Sequence, residues 1–155
     1  MVAVSGYQQH ANCKQSLLQF NLAALAGKTI DSATLRLTAS QVPTPSTAYS
    51  PRNWFIGTAT QAWGSGVTWN TTPGYYLATA IELSPPTAIN QVATVNLTAM
   101  VQAWTNGSLP NYGLQLAIGN YNLPNPLGNS WDTFYLYSTE EPTVSLRPTL
   151  TITYR

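Results

Sequence analysis

Apolar and polar residues alternate along most of this chain. In Ala33-Thr34-Leu35-Arg36-Leu37-Thr38-Ala39 the odd positions are apolar and the even ones polar. Thr149-Leu150-Thr151-Ile152-Thr153-Tyr154 repeats that pattern, as does Tyr112-Gly113-Leu114-Gln115-Leu116-Ala117-Ile118. A period of two in β-branched and aromatic residues predicts half-buried antiparallel strands. Further strands are predicted near 16–20, 53–60, 66–70, 75–83, 92–97 and 132–138. The inward set is then Leu18, Phe20, Leu35, Leu37, Leu114, Leu116, Leu150 and Ile152. Pro and Gly, 11 and 10 in number, fall mostly between these runs, where they end strands. Pro43-Thr44-Pro45, Ser84-Pro85-Pro86 and Leu123-Pro124-Asn125-Pro126 read as loops.

One segment follows a different spacing. Leu97, Val101 and Trp104 recur at helical intervals, with Met100 beside them. Asn96 or Thr98 can cap the start and Asn106-Gly107 can end it, so 98–105 is predicted to be one short helix closing an end of a sandwich. Trp104 should pack inward with Leu97 and Val101. Many short strands and no alternating long helices predict an all-β fold, a jelly-roll-like antiparallel β-sandwich with one short helix. Residues 1–155 read as a single domain, without internal repeat or low-complexity tract.

Composition narrows the function. Only 7% of residues are charged, against about a quarter in ordinary domains. Ser, Thr, Asn, Gln and Tyr fill the polar positions instead. Such a neutral surface suits the cell exterior, or burial against copies of itself. A net charge of +1 offers no electrostatic footprint for nucleic acid or an anionic membrane. No apolar run approaches the roughly 20 residues of a membrane span. The opening Met1-Val2-Ala3-Val4-Ser5 lacks the basic segment of a secretory signal, so an exported chain would be a processed or trimmed form. Cys13 is the single cysteine, which rules out an internal disulfide.

Catalytic chemistry has little to work with. His10 is the one imidazole, and it shares a polar stretch with Cys13 and no orienting acid. Clusters of His and Cys for a metal cannot form from one of each. The acids are Asp31, Glu82, Asp132, Glu140 and Glu141. Glu140 and Glu141 are adjacent, diverge, and do not make the facing pair of a glycosidase. They read as a solvated loop, with a weak calcium site as the sharper alternative. The expectation is a non-enzyme with no cofactor and no bound metal.

Trp63-Gly64 followed by Val67-Thr68-Trp69-Asn70-Thr71-Thr72-Pro73 is the most specific string in the chain. With it go Ser16 to Leu22, leading to Asp31 to Leu37, and then Val95 to Thr98, Val101, Trp104, Gly107 and Asn111 to Leu114. Thr133 to Glu140 and Arg147-Pro148-Leu150 complete the set. In order and spacing these segments resemble the DNRLRE-domain family, grouped with the family-96 carbohydrate-binding modules, over nearly the whole chain. The resemblance implies a jelly-roll-like sandwich and a secreted, non-catalytic module attached to sugar-active enzymes, adhesins or surface proteins. Asn12-Cys13-Lys14 stands where the family has Asp-Asn-Arg. Family domains also carry a strand ahead of the point where Val2-Ala3-Val4 begins, so an open sheet edge is expected.

The resemblance assigns Trp63, Trp69 and Trp104 to motif positions, and core packing is their expected role. Tyr7, Trp54, Tyr75, Tyr76, Tyr121 and Trp131 lie outside the motif and are the candidates for contact with a sugar or a neighbouring subunit. Asn106, Asn96 and Asn70 head Asn-x-Ser/Thr sequons, of which Asn106 is the best glycan acceptor because it lies in a turn. On the sequence, a structural subunit of an extracellular filament, sheath or matrix is favoured narrowly, with a polysaccharide-binding module as the alternative. The open edge would self-associate into a homopolymer through residues 1–8 or 148–155. Each subunit should then bury well over the roughly 800 Å² per partner of a standard interface.

Overall fold

The computed structural model describes residues 2–5, 15–42, 53–118 and 133–155. Its strands are β1 (Val2–Ser5), β2 (Ser16–Leu18), β3 (Ile30–Gln41), β4 (Trp54–Thr58), β5 (Ile81–Leu83) and β6 (Val92–Asn96). Helix α1 (Thr98–Thr105) follows, then β7 (Leu114–Ile118), β8 (Thr133–Leu136) and β9 (Thr149–Tyr154). They build two antiparallel sheets. One is five-stranded, ordered β1-β8-β3-β6 with β9 also paired to β3, and the other is four-stranded, ordered β2-β7-β4-β5. That is the strand order of a jelly roll, in which the chain keeps passing from one sheet to the other.

Inward residues follow from alternation. On β3, Ala33, Leu35, Leu37 and Ala39 are buried. Trp54 and Ile56 of β4 lie opposite Ile118 and Leu116 of β7 in register. Leu18, Leu35, Leu37, Trp54, Ile56, Val95, Leu114 and Leu116 belong to one core cluster, with Phe20, Leu150 and Ile152 half-buried against it. Burying each Leu or Ile contributes about 1.5–3 kcal/mol. Ile30 is also inside, at an odd spacing from Ala33. The register of β3 on β9 shifts between Ile30 and Ser32, and that extra residue brings Ile30 back to the inner face.

Helix α1 closes one end. Leu97, Met100, Val101 and Trp104 enter the core cluster, as their spacing predicts. Asn96 Oδ1 accepts from the Thr98 N–H (3.0 Å), and Asn106 stands at the other end of the helix. Thr98 Oγ1 accepts from the Ala33 N–H at 3.0 Å, and Gln102 Oε1 accepts from the Ile30 N–H at 2.8 Å. The helix is thereby bonded to β3 as well as packed on it.

Two expectations need correction. Residues 66–70 do not form a strand. Thr68 caps a 3-10 turn over Trp69–Thr71, its N–H bonded to Thr71 Oγ1 (2.9 Å), and Gly64 and Gly66 precede it. Of 75–83, only Ile81–Leu83 is a strand; Tyr75 makes an isolated bridge to Ala59, and Leu77–Thr79 is a 3-10 turn. The strands expected at an open edge are each paired on one side. β1 pairs with β8 from Val2↔Leu136 to Ser5↔Thr133, which fills the outer position beside β8. β9 likewise pairs with β3 of its own chain. Of the segments expected to reach a neighbour, residues 2–5 and 149–154 thus have one partner strand each within the chain.

Candidate functional site

The described acids are dispersed and locally engaged. Asp31 lies 3.7 Å from Arg155, in a pair too exposed to contribute much stability. Glu82 accepts from Asn53 Nδ2 at 2.7 Å. Glu140 accepts from Thr139 Oγ1, and Glu141 from the Thr143 N–H, inside one turn. Among the described residues, no group of three or more His, Cys, Asp or Glu side chains converges. Tyr7, His10, Cys13, Tyr121, Trp131 and Asp132 lie outside the described residues.

The aromatic candidates separate by burial. Trp54 was expected on the surface, yet it is only 1% exposed, and its Nε1–H donates to Ser84 O at 2.8 Å. It stands on the inner face of β4 in phase with Ile56, which is a core position. Tyr75 is buried as well, because it lies over Gly57 of β4. A Cβ at Gly57 would come within 2.6 Å of the Tyr75 ring, so the glycine is what admits the ring. Tyr76, next in the chain, turns the other way and is 44% exposed. Trp54 and Tyr75 are therefore withdrawn as contact residues, and Tyr76 is kept.

Tyr76 sits on the long connection between β4 and β5, which the sequence motif occupies. This connection is pinned at many points. Thr60 N–H donates to Gly74 O (3.0 Å), and Tyr76 N–H to Thr58 O (3.0 Å). Gln61 Nε2 donates to Thr71 O at 3.2 Å. Trp63 Nε1–H donates to Tyr112 O at 2.7 Å, tying the connection to the approach of β7. The Trp69 side chain lies outside what is described. Thr72 Oγ1 reaches Gln15 Oε1 at 3.4 Å, and Gln115 Nε2 donates to the same oxygen. Gln115 is 1% exposed, and its Oε1 has no hydrogen-bond partner among the described residues. The result is a pinned arm that carries the exposed Tyr76 and, elsewhere along it, the exposed amide of Gln61 and hydroxyl of Thr71. Such side chains both donate and accept, and so match hydroxyl groups rather than ions.

A cleft of about 240 Å³, counting its open mouth, lies at the end of the sandwich away from α1. Leu37, Trp54, Pro86, Gln91 and Leu136 line it. Within it, Gln91 Oε1 already accepts from Thr87 and Ala88.

The sequons differ in context. Asn70 is exposed within the 3-10 turn of the connection. Asn96 Oδ1 is committed to Thr98 at the start of α1. Asn106 is exposed just after α1, its Oδ1 accepting from the Ser108 N–H at 2.9 Å.

The model of carbohydrate-binding module family 96 matches residues 2–154. No curated protein and no solved structure matches the chain.

Proposed function

The chain belongs to carbohydrate-binding module family 96, and from that premise we propose that it binds a polysaccharide outside the cell without turning it over. The family match from residue 2 to residue 154 is the observation that carries this reading. The contact surface is the β4–β5 connection. Its exposed Tyr76 ring stacks on a sugar face, and its amide and hydroxyl side chains bond the sugar hydroxyls. The pinned backbone keeps the ordering cost of binding low. A filament subunit, the reading the sequence favours, is set aside because the family match supports the carbohydrate-binding alternative instead.

Affinity gel electrophoresis against a panel of soluble neutral and acidic polysaccharides tests the proposal. The native chain should be retarded by at least one of them. Tyr76→Ala, at an exposed position, should melt with the native protein and lose roughly tenfold in affinity, the scale of one stacked ring. Free migration of the native chain in every gel would overturn the reading. Release of reducing ends or unsaturated products above a heat-killed control would overturn its non-catalytic part.

A further inference from the structure

Across β3, β6 and β9 the outer face of the five-stranded sheet carries mostly short hydroxyl side chains, with Asn96, Arg36 and the exposed Val92 among them. Register places Asn96, Thr34 and Thr151 in one row across β6, β3 and β9. Thr94, Arg36 and Thr149 form the next row. Ser32 and Thr153 continue the ladder, with their hydroxyls 2.7 Å apart. Thr94, Asn96, Thr149, Thr151 and Thr153 are exposed, and Thr34 is half-buried. Solvent-facing sheets and edge strands ordinarily carry Lys and Glu, which keep other surfaces away. Here the one ionised group in the two rows is Arg36, and its guanidinium is drawn aside to the carbonyl of Ser145.

We propose that this face is a second carbohydrate contact, and that its occupant is the surface of packed, neutral polysaccharide chains. The proposal rests on the carbohydrate-binding reading above and adds the physical form of the ligand. Hydroxyls on neighbouring strands repeat at about 4.7–4.9 Å, and along a strand at about 6.6–6.8 Å, because the backbone fixes both spacings. Thr is stiff at χ1, so the hydroxyl pattern is set before contact. Each exposed hydrogen bond contributes little net free energy. Many such bonds add up only when both partners have lost their freedom beforehand. Chains already fixed in a packed solid meet that condition, whereas a flexible soluble chain must be ordered contact by contact. The scarcity of charge on the face, where Arg36 alone is ionised in the two rows and is turned aside to Ser145, fits an uncharged partner.

The test is depletion of the protein from suspensions of microcrystalline cellulose, crystalline chitin and granular starch. The variant is Thr94→Val/Thr149→Val/Thr151→Val, which removes hydroxyls but keeps β-branched shape and strand preference. The native protein should be depleted by at least one solid, and the triple variant by roughly tenfold less or weaker still. Mobility of the variant in the soluble-polysaccharide gels should be unchanged. Thr151→Lys, a single exposed change, is the second variant should the triple one melt early, and it should weaken depletion too. Lack of depletion of the native protein, or equal depletion of both variants, would overturn the proposal. If gel retardation persists in that case, only the second contact fails; if it is lost as well, the carbohydrate reading fails with it.

Discussion

Trp54 and Trp104 are both buried tryptophans, but they differ in one atom's surroundings. Trp54 Nε1–H donates to Ser84 O at 2.8 Å, whereas Trp104 Nε1 is buried with no acceptor among the described residues. Substituting Phe removes the N–H from each and leaves a similar void. At Trp104 the change also removes an unsatisfied buried donor, a penalty of about 1–3 kcal/mol. At Trp54 it breaks a bond with a net contribution of about 0.5–1.5 kcal/mol. Trp54→Phe should therefore be less stable than Trp104→Phe by about 1.5–4.5 kcal/mol. For a domain of this size about 1 kcal/mol shifts Tm by about 2–4 °C, so the two melts should separate by at least roughly 3 °C. Trp104→Ala, which empties the site, should cost about 3–5 kcal/mol and prove that the ring packs. Denaturant titration gives the same differences independently of Tm. Equal losses for the two Phe variants, or a larger loss at Trp104, would refute the argument that the orphaned donor is a standing cost.

Two further outcomes follow from close contacts. Gly57→Ala sets a Cβ 2.6 Å from the Tyr75 ring and should cost about 1–3 kcal/mol by thermal melt; an unchanged melt would mean that Tyr75 does not lie over β4. Thr98→Val removes the acceptor of the Ala33 N–H and the donor to Asn96, so a loss of about 1–2 kcal/mol is expected, with faster amide exchange at Ala33; native exchange there would refute the link between α1 and β3.

Much of this fold was legible because alternation and helical spacing are both set by one buried side. Leu35 and Leu37 are inside and Arg36 between them is not, as a period of two requires. The helix occupies Thr98–Thr105, the predicted span, because Leu97, Val101 and Trp104 share a face and Gly107 follows it. Where two apolar runs meet glycine and proline, periodicity misleads. Val67-Thr68-Trp69 has strand composition, but the flanking Gly66 and Pro73 leave a turn capped by Thr68. The carbohydrate-binding alternative was legible in the motif of residues 63–73, while the preference for a filament drew on the expected open edge and the charge-poor surface.

Trp54 and Tyr75 show what a single sequence hides. Trp54 opens Trp-Phe-Ile-Gly-Thr, and its phase with Ile56 is the one local signal for burial. Tyr75 and Tyr76 look equivalent in sequence. Only the register that sets Tyr75 over Gly57 separates the buried ring from the exposed one. Nothing in the local sequence of Gly57 names its partner, so that assignment belongs to tertiary structure alone.

The scarcity of charge raises the question of how the sheet edges stay unpaired with other molecules. Lys is the usual guard, and this chain has few. Short strands perform that role on the four-stranded sheet, whose edges β2 and β5 are 3 residues each. On the other sheet β1 covers β8, and β9 takes the stretch of β3 that β8 leaves free. Among the described residues, the longer edges that remain are β6, with 5 residues, and β9, with 6. Both border the threonine face, and neither carries a lysine or a glutamate. An edge left without repulsive side chains next to a flat hydroxyl surface is a liability in a protein that has no use for contact. It is what a surface needs if its function is to lie against an uncharged, ordered solid, and that coincidence ties the unusual composition of the chain to the contact proposed for it.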